Sequence, residues 1–321
     1  MRRAGLASSL LALVMSAPLV AAMHDPAATD PDWGQEPRRL GGNWDSTSFT
    51  FTSTRDGSPE DVITVSYDVA DQVLRYGYEA ADEPGTRQGH GLALGSILEY
   101  QDRDGDGHFG LGDPIIQQLD LDDARSARVD VEALDDGRLR ATAIHQFPGV
   151  NGARFTLSVL MTPTRDAPEG ALLDPVDAAI DIDLERFPFE SDNATALALE
   201  MRWMERLDRD DHELRTTQAG LRFSHQWTPQ GTVVGSAAPL GLTVQSYGSD
   251  DAVQTVLWAS LPAGESWHAE ATVGLQRLAE PDPEIPEILL DDIRGRWHLY
   301  LLGIVLAGLL VGLPLSWRKD E

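Results

Sequence analysis

The chain has 321 residues, 52 acidic and 25 basic side chains, a formal net charge of -27 and no cysteine. A surface of this charge repels nucleic acid and anionic lipid, which argues against a nucleic-acid partner. Without cysteine there is neither a disulfide scaffold nor a thiol nucleophile, so burial, hydrogen bonds and bound ions must hold the fold.

The chain begins with the features of a secretory signal. Two arginines precede an apolar run from Leu6 to Val20, which closes on small residues at Ala22. This pattern predicts a signal peptide over residues 1–22, cleaved after the last alanine, with an uncleaved N-terminal anchor as the alternative. Residues 23–44 are polar and predict a leader that is partly disordered.

Strict alternation of apolar and polar residues dominates the chain from about Ser48 to Leu278. Turn-rich breaks separate the alternating segments, as expected for antiparallel strands with one buried face. The pattern predicts an all-β, sandwich-like ectodomain. The apolar positions are Ile63, Val65, Tyr67, Val69, Phe155, Leu157, Val159, Met161, Ile180, Ile182, Leu184, Leu221, Phe223, His225, Trp227, Trp267, Ala269, Ala271, Val273 and Leu275.

The ectodomain carries a faint internal echo. Segments that begin at Phe49 and Leu92 resemble segments that begin at Phe155 and Leu197, with offsets of 105 to 110 residues in the same order. The echo predicts two related β units, 45–150 and 151–278, which form separate domains or pack as one body.

One acidic loop has the spacing of a calcium site. The stretch DRDGDGHFGLGD runs from Asp102 to Asp113. Ca²⁺ takes six to eight oxygen ligands, and alternate residues of a tight loop point inward together. The predicted metal ligands are Asp102, Asp104, Asp106, the backbone carbonyl of His108, and Asp113, with Gly107 at the sharp turn and Phe109 anchoring the loop to the core.

The twelve-residue loop resembles those of EF-hand proteins, and its final aspartate makes it more similar to the loops of dockerin modules. The resemblance implies Ca²⁺ binding. The flanking sequence predicts strands rather than a pair of helices. A solvated turn in a chain that is acidic throughout is the alternative, and Asp208 marks a weaker echo of the loop without its glycines.

No sequence motif in the ectodomain indicates a particular reaction. The sequence has no HExxH and no GxSxG, and its histidines are scattered. His145 and His225 lie on apolar faces, which predicts packed core side chains. Paired carboxylates for glycoside hydrolysis do not stand out among so many acids.

The C-terminal region predicts a membrane anchor. An acidic stalk with prolines over residues 279–296 precedes a transmembrane helix over 297–317, and residues 318–321 form a tail. Tryptophans flank the uncharged run, and the arginine and lysine that follow it favour a cytoplasmic C-terminus. Gly308 and Gly312 form a GxxxG, the spacing at which two membrane helices approach closely, although glycine is common in such helices.

Together these patterns predict a single-pass type I protein of the cell membrane, with an extracytoplasmic, calcium-binding β ectodomain. Its role is structural, adhesive or ligand-binding, with a protein or carbohydrate ligand left open. The alternatives are a membrane-tethered hydrolase with a structural calcium ion, and an accessory subunit that pairs through its membrane helix.

Overall fold

The part of the chain described here lies between residues 33 and 278. The computed structural model describes residues 33–278 apart from 56–57, 81–86, 111, 149–151, 167–171, 191–195, 204–207, 211, 219 and 250–251. The predicted signal peptide, stalk, membrane helix and tail lie outside these residues. Within them, none of the helices has the length and apolarity needed to cross a membrane.

The first sheet is antiparallel and has nine strands among the described residues. They are β1 (Arg38–Trp44), β2 (Ser48–Arg55), β3 (Ser58–Asp68), β4 (Val73–Glu79), β5 (Arg87–Tyr100), β6 (Ile115–Asp120), β11 (Ala196–Trp203), β17 (Gly241–Ser249) and β18 (Ala252–Pro262). Their spatial order is β1-β2-β3-β4-β5-β11-β18-β17, and β6 pairs with the second half of β5.

The second sheet, also antiparallel, has ten strands among the described residues. They are β7 (Ser126–Ala133), β8 (Leu139–Gln146), β9 (Arg154–Met161), β10 (Ala178–Glu185), β12 (Asp208–Asp210), β13 (Glu213–Gln218), β14 (Leu221–Trp227), β15 (Gln230–Val233), β16 (Ser236–Pro239) and β19 (Ser266–Arg277). The order is β12-β13-β14-β19-β10-β9-β8-β7, and the hairpin of β15 and β16 pairs with β19. Two short 3-10 helices, Trp33–Gln35 and Leu121–Asp123, complete the described elements.

The alternating sequence forms strands because one face of each strand enters a shared core. Every apolar position predicted to be buried is buried except Val69, which lies just after β3 and is partly buried. The inner faces of both sheets contribute to one large apolar cluster. The all-β, sandwich-like prediction is therefore confirmed.

Polar contacts tie the two sheets across this core. The Tyr67 hydroxyl lies 2.9 Å from His145 Nε2, and Ser53 Oγ donates to the carbonyl of Pro175 at 3.1 Å. The Tyr76 hydroxyl donates to the carbonyl of Val176. Buried polar groups need such partners, since a buried group without one costs free energy.

Each sheet takes strands from both predicted units. β11, from the second unit, lies between β5 and β18, while β7 and β8, from the first unit, extend the second sheet beyond β9. The two units therefore pack as one body. Their descent from a duplication stays a prediction.

Part of the predicted leader belongs to the folded region. Trp33 is buried, with its ring 5.6 Å from that of Tyr78. Arg38, with no exposed side-chain surface, bonds to Asp61 at 2.8 Å. The pairing of a buried charge explains why a polar segment can be part of the fold. The part of the predicted leader from Trp33 to Trp44 thus contains a 3-10 helix and β1.

Candidate metal centre

The acidic loop connects two strands of the first sheet. β5 ends at Tyr100 and β6 begins at Ile115, and the N–H of Gln101 donates to the carbonyl of Pro114 at 3.0 Å across the base of the loop. The expectation of flanking strands rather than helices is confirmed. A short, hydrogen-bonded base fixes where the loop leaves and rejoins the sheet.

Three of the predicted carboxylates converge. Asp102, Asp104 and Asp106 each place one carboxylate oxygen within 4.8 Å of the others. The Asp102 carboxylate accepts hydrogen bonds from the N–H groups of Gly105 at 2.8 Å and Gly107 at 3.0 Å. These two glycines have φ of +74° and +77°, the left-handed conformation that curls the chain around the carboxylates.

Asp113, the fourth predicted carboxylate ligand, is placed differently. Asp113 does not belong to the converging group; its carboxylate accepts hydrogen bonds from the N–H groups of Arg103 at 3.1 Å and Gly110 at 2.9 Å. The N–H of His108 donates to Asp106 Oδ1 at 2.7 Å. The twelfth residue therefore closes the loop, while the first, third and fifth form its acidic centre.

The electrostatics of the centre favour a cation. A hydrogen bond from the N–H of Asp106 lowers the pKa of Asp104, but desolvation and the negative charges of Asp106 and Asp113 outweigh it. The pKa of Asp104 consequently lies above its ordinary value. A donor set of carboxylate oxygens in a tight loop fits Ca²⁺, which would neutralise this repulsion.

An apolar cluster on the outer face of the first sheet holds the loop in place. We call it the outer-face cluster; it consists of Leu98, Tyr100, Phe109, Ala196, Ala198, Val256 and Trp258. The Phe109 ring, 7% exposed, lies 5.1 Å from Tyr100 and 5.5 Å from Trp258. Its N–H donates to Ser260 Oγ at 3.2 Å. The predicted anchoring role of Phe109 is confirmed, although it anchors to this cluster and not to the core between the sheets.

A second contact fixes the loop against β17. A Cβ built on Gly241 would lie 2.2 Å from the carbonyl oxygen of Gly107 and 3.2 Å from His108 Nδ1. Only glycine leaves room for this approach. The loop is therefore held on one side by an aromatic ring and on the other by backbone contact.

The second sheet carries another group of metal-ligating side chains on its outer face. One ligand atom each from Asp181, His268 and Glu270 lies within 4.8 Å of the others. The hydrogen bond to Asp183, then that to Glu270, raise the pKa of His268 to about 9 despite partial burial. Alternation places these residues outward, but the sequence did not reveal that β10 and β19, far apart in the chain, are neighbours.

Three histidines lie in the core, among them the two predicted there. His90, His145 and His225 are 8%, 0% and 3% exposed. Burial lowers the pKa of His90 and of His145 to about 4. Burial, with a smaller contribution from His90, lowers the pKa of His225 as well. Burial therefore keeps the three rings neutral at pH 7, as expected of packed core side chains.

A trough of about 310 Å³ lies against the first sheet. Thr64, Ser66 and Arg75 line it together with glycines of β4 and β5. Arg75 is paired with Asp71 at 2.7 Å. The described lining contains no carboxylate.

No protein-family model and no curated protein matches the chain. Among solved structures it is similar to the heparan sulfate lyase HepC of Pedobacter heparinus, at 8% identity and a TM-score of 0.40, and to a mutant of that lyase at 0.42. Each comparison covers 76% of this chain and 37% of the lyase. Similarity at this level supports no argument about fold or function.

Proposed function

We propose that the chain is a membrane-anchored, calcium-binding β-rich surface protein with a structural, adhesive or ligand-binding role. One observation carries the calcium part: three carboxylates converge in a loop that is fixed to the first sheet by Phe109. Membrane anchoring and export rest on the sequence of the two ends of the chain. No observation among the described residues favours the hydrolase alternative.

Calcium would act on stability through the loop. The converging carboxylates repel one another, and this repulsion opposes the closed loop that keeps Phe109 over Tyr100 and Trp258. An ion that binds only the closed loop adds RT ln(1 + [Ca²⁺]/Kd), or about 2.7 kcal/mol at a hundredfold excess over Kd. The ion would therefore couple loop closure to the packing of the outer-face cluster.

Calcium should raise the melting temperature of the protein, and the double substitution Asp104→Ala with Asp106→Ala should abolish the rise. Both residues belong to the converging group, so their loss removes ligands without touching the core. The measurement is thermal unfolding by circular dichroism in excess CaCl₂ and in EDTA.

A matched control removes two carboxylates elsewhere. Asp130 and Glu132 are exposed on β7 of the second sheet. Asp130→Ala with Glu132→Ala changes the net charge equally and should keep the calcium response. Equal melting curves of the unsubstituted protein in CaCl₂ and EDTA would refute the calcium site.

Anchoring is tested separately. We expect the full chain to remain in the membrane fraction after carbonate extraction, and a variant without residues 297–317 to be released. Replacement of Gly308 and Gly312 by leucine should leave anchoring intact and weaken any self-association of the span, because bulky side chains keep two helices apart. Release of the unaltered chain by carbonate would contradict the proposal.

A further inference from the structure

The outer face of the second sheet brings together a donor set different from that of the acidic loop. Asp181 on β10 lies directly opposite Glu270 on β19, and Asp183 lies opposite His268. An imidazole nitrogen and two carboxylate oxygens, one each from His268, Asp181 and Glu270, lie within 4.8 Å of one another. We propose that these three residues form a second metal site. This site should prefer Zn²⁺ and divalent metals with similar ligand preferences over Ca²⁺.

The donor chemistry supports this choice of metal. Zn²⁺ binds histidine nitrogen and carboxylate oxygen at about 2.0 to 2.2 Å, whereas Ca²⁺ prefers oxygen alone. The loop at Asp102 offers only oxygen, and the site at His268 offers nitrogen as well. The two sites should therefore discriminate between the two kinds of ion.

The fourth residue of the group orients the imidazole. His268 Nδ1 lies 2.8 Å from Asp183 Oδ1, and Nε2 lies 3.1 Å from Glu270 Oε1. A carboxylate on Nδ1 holds the N–H at that nitrogen and turns Nε2 toward the metal position, the arrangement common among metal-binding histidines. Asp183 is thus a positioning residue and not a ligand.

The strands that carry the ligands are fixed by their neighbours. β10 is hydrogen-bonded to β9 and β19. On its other side β19 pairs with β15 at His268 and with β14 from Ala271 onward. The ligand positions are consequently set before a metal arrives. Three protein ligands leave at least one position of a tetrahedral ion for water, and the His268 side chain, 29% exposed, is within reach of solvent. On binding, the proton that Nε2 shares with Glu270 passes to solvent.

Co²⁺ and Zn²⁺ titrations of the full chain, with the acidic loop saturated by Ca²⁺, test the site. We expect the unsubstituted protein to give visible Co²⁺ absorption that Zn²⁺ removes stoichiometrically. His268→Gln should abolish the signal, and Asp183→Asn should weaken Zn²⁺ affinity by about 10- to 100-fold, the usual effect of losing a residue that orients a ligand.

Two further variants separate this site from the calcium loop. Asp104→Ala with Asp106→Ala should keep the Co²⁺ signal, and His268→Gln should keep the calcium-dependent rise in melting temperature. Circular dichroism should show that each variant is folded. The same Zn²⁺ affinity in the unsubstituted protein and in His268→Gln, or no Zn²⁺ binding by the unsubstituted protein at micromolar concentration, would overturn the proposal, whatever the outcome at the calcium loop.

Discussion

Three buried histidines and the partly buried Asp177 make stability depend on pH in opposite directions. His90 and His145 have pKa values of about 4 in the folded protein, below the ordinary 6.5, and the pKa of His225 is lowered too. The unfolded chain therefore takes up protons first as the pH falls below 6.5, and stability is lost down to about pH 4. Asp177 acts oppositely: burial raises its pKa to about 7, so its stabilising effect is lost as the pH rises from about 4 to 7.

His90→Leu should flatten this pH dependence. Neither ring nitrogen of His90 has a hydrogen-bond partner among the described residues, so an apolar side chain loses no described bond. A pKa lowered from 6.5 to about 4 costs roughly 2.5 kcal/mol of stability between pH 7 and 4.5. Urea unfolding at both pH values measures the drop in the free energy of unfolding between pH 7 and 4.5. In the variant this drop should be smaller by that amount.

Phe223→Leu provides the control, because the Phe223 ring lies 5.6 Å from that of His90 but does not titrate. This substitution should lower the free energy of unfolding at both pH values. The difference between the free energies at pH 7 and pH 4.5 should stay unchanged. If His90→Leu retains the full difference between pH 7 and 4.5, the lowered pKa of His90 is refuted.

Candidate site residues were predictable from the sequence where their spacing along one continuous segment is enough to bring them together. The positions of Asp102, Asp104 and Asp106 follow from a contiguous loop, and they converge. The group around His268 was not predictable, because its members lie on strands whose neighbours are set by the fold. Alternation gives the face of each side chain but not the partner strand.

At the level of elements, the loop and the strands beneath it form one packing unit. Trp258 is buried, but it belongs to the outer-face cluster and not to the core between the sheets. Alternation along β18 explains this: Leu257, Ala259 and Leu261 enter the core between the sheets, so Trp258 must point the other way. β18 is apolar on both faces. Such a pattern indicates that the outer face of a strand is also covered by other residues.

Phe109→Ala should destabilise the protein by about 3 kcal/mol, the usual cost of truncating a buried phenylalanine. It should also reduce the calcium-dependent rise in melting temperature, since a bound ion would no longer drive an aromatic ring into the cluster. Chemical denaturation with and without CaCl₂ measures both effects.

Ile115→Ala is the matched control, because Ile115 follows the same loop but is 50% exposed. Its effect should stay within about 0.5 kcal/mol, as for most surface substitutions. Equal stabilities of Phe109→Ala and Ile115→Ala would contradict the anchoring role of Phe109.

At the level of the whole molecule, the sharing of strands between the halves should make unfolding cooperative. Trp203 lies on the first sheet and Trp227 on the second, and both belong to the same core cluster. We expect Trp203→Phe and Trp227→Phe each to lower the midpoint of one common transition, followed by far-ultraviolet circular dichroism and fluorescence. Two separate transitions, each sensitive to one variant, would instead support two independent domains.

The all-β class was predictable because the alternation of apolar and polar residues within each strand shows which of its faces is buried. The connection of the halves was not, since antiparallel pairing between distant strands leaves no local signal in one sequence. The internal echo left open whether the two units fold apart or together. Both sheets take strands from both units, so sequence similarity between two segments does not determine whether they form separate domains.

The position of β19 has a consequence for how the chain is made. This strand, the last in the described region, lies between β14 and β10 and joins the two parts of the second sheet. Until the ribosome has released Ser266–Arg277, β10 is paired with β9 alone and β14 is not yet joined to β10. Pairings over such sequence distances also form slowly. The two parts of the second sheet can therefore join only after all the other strands of the described region have been synthesised.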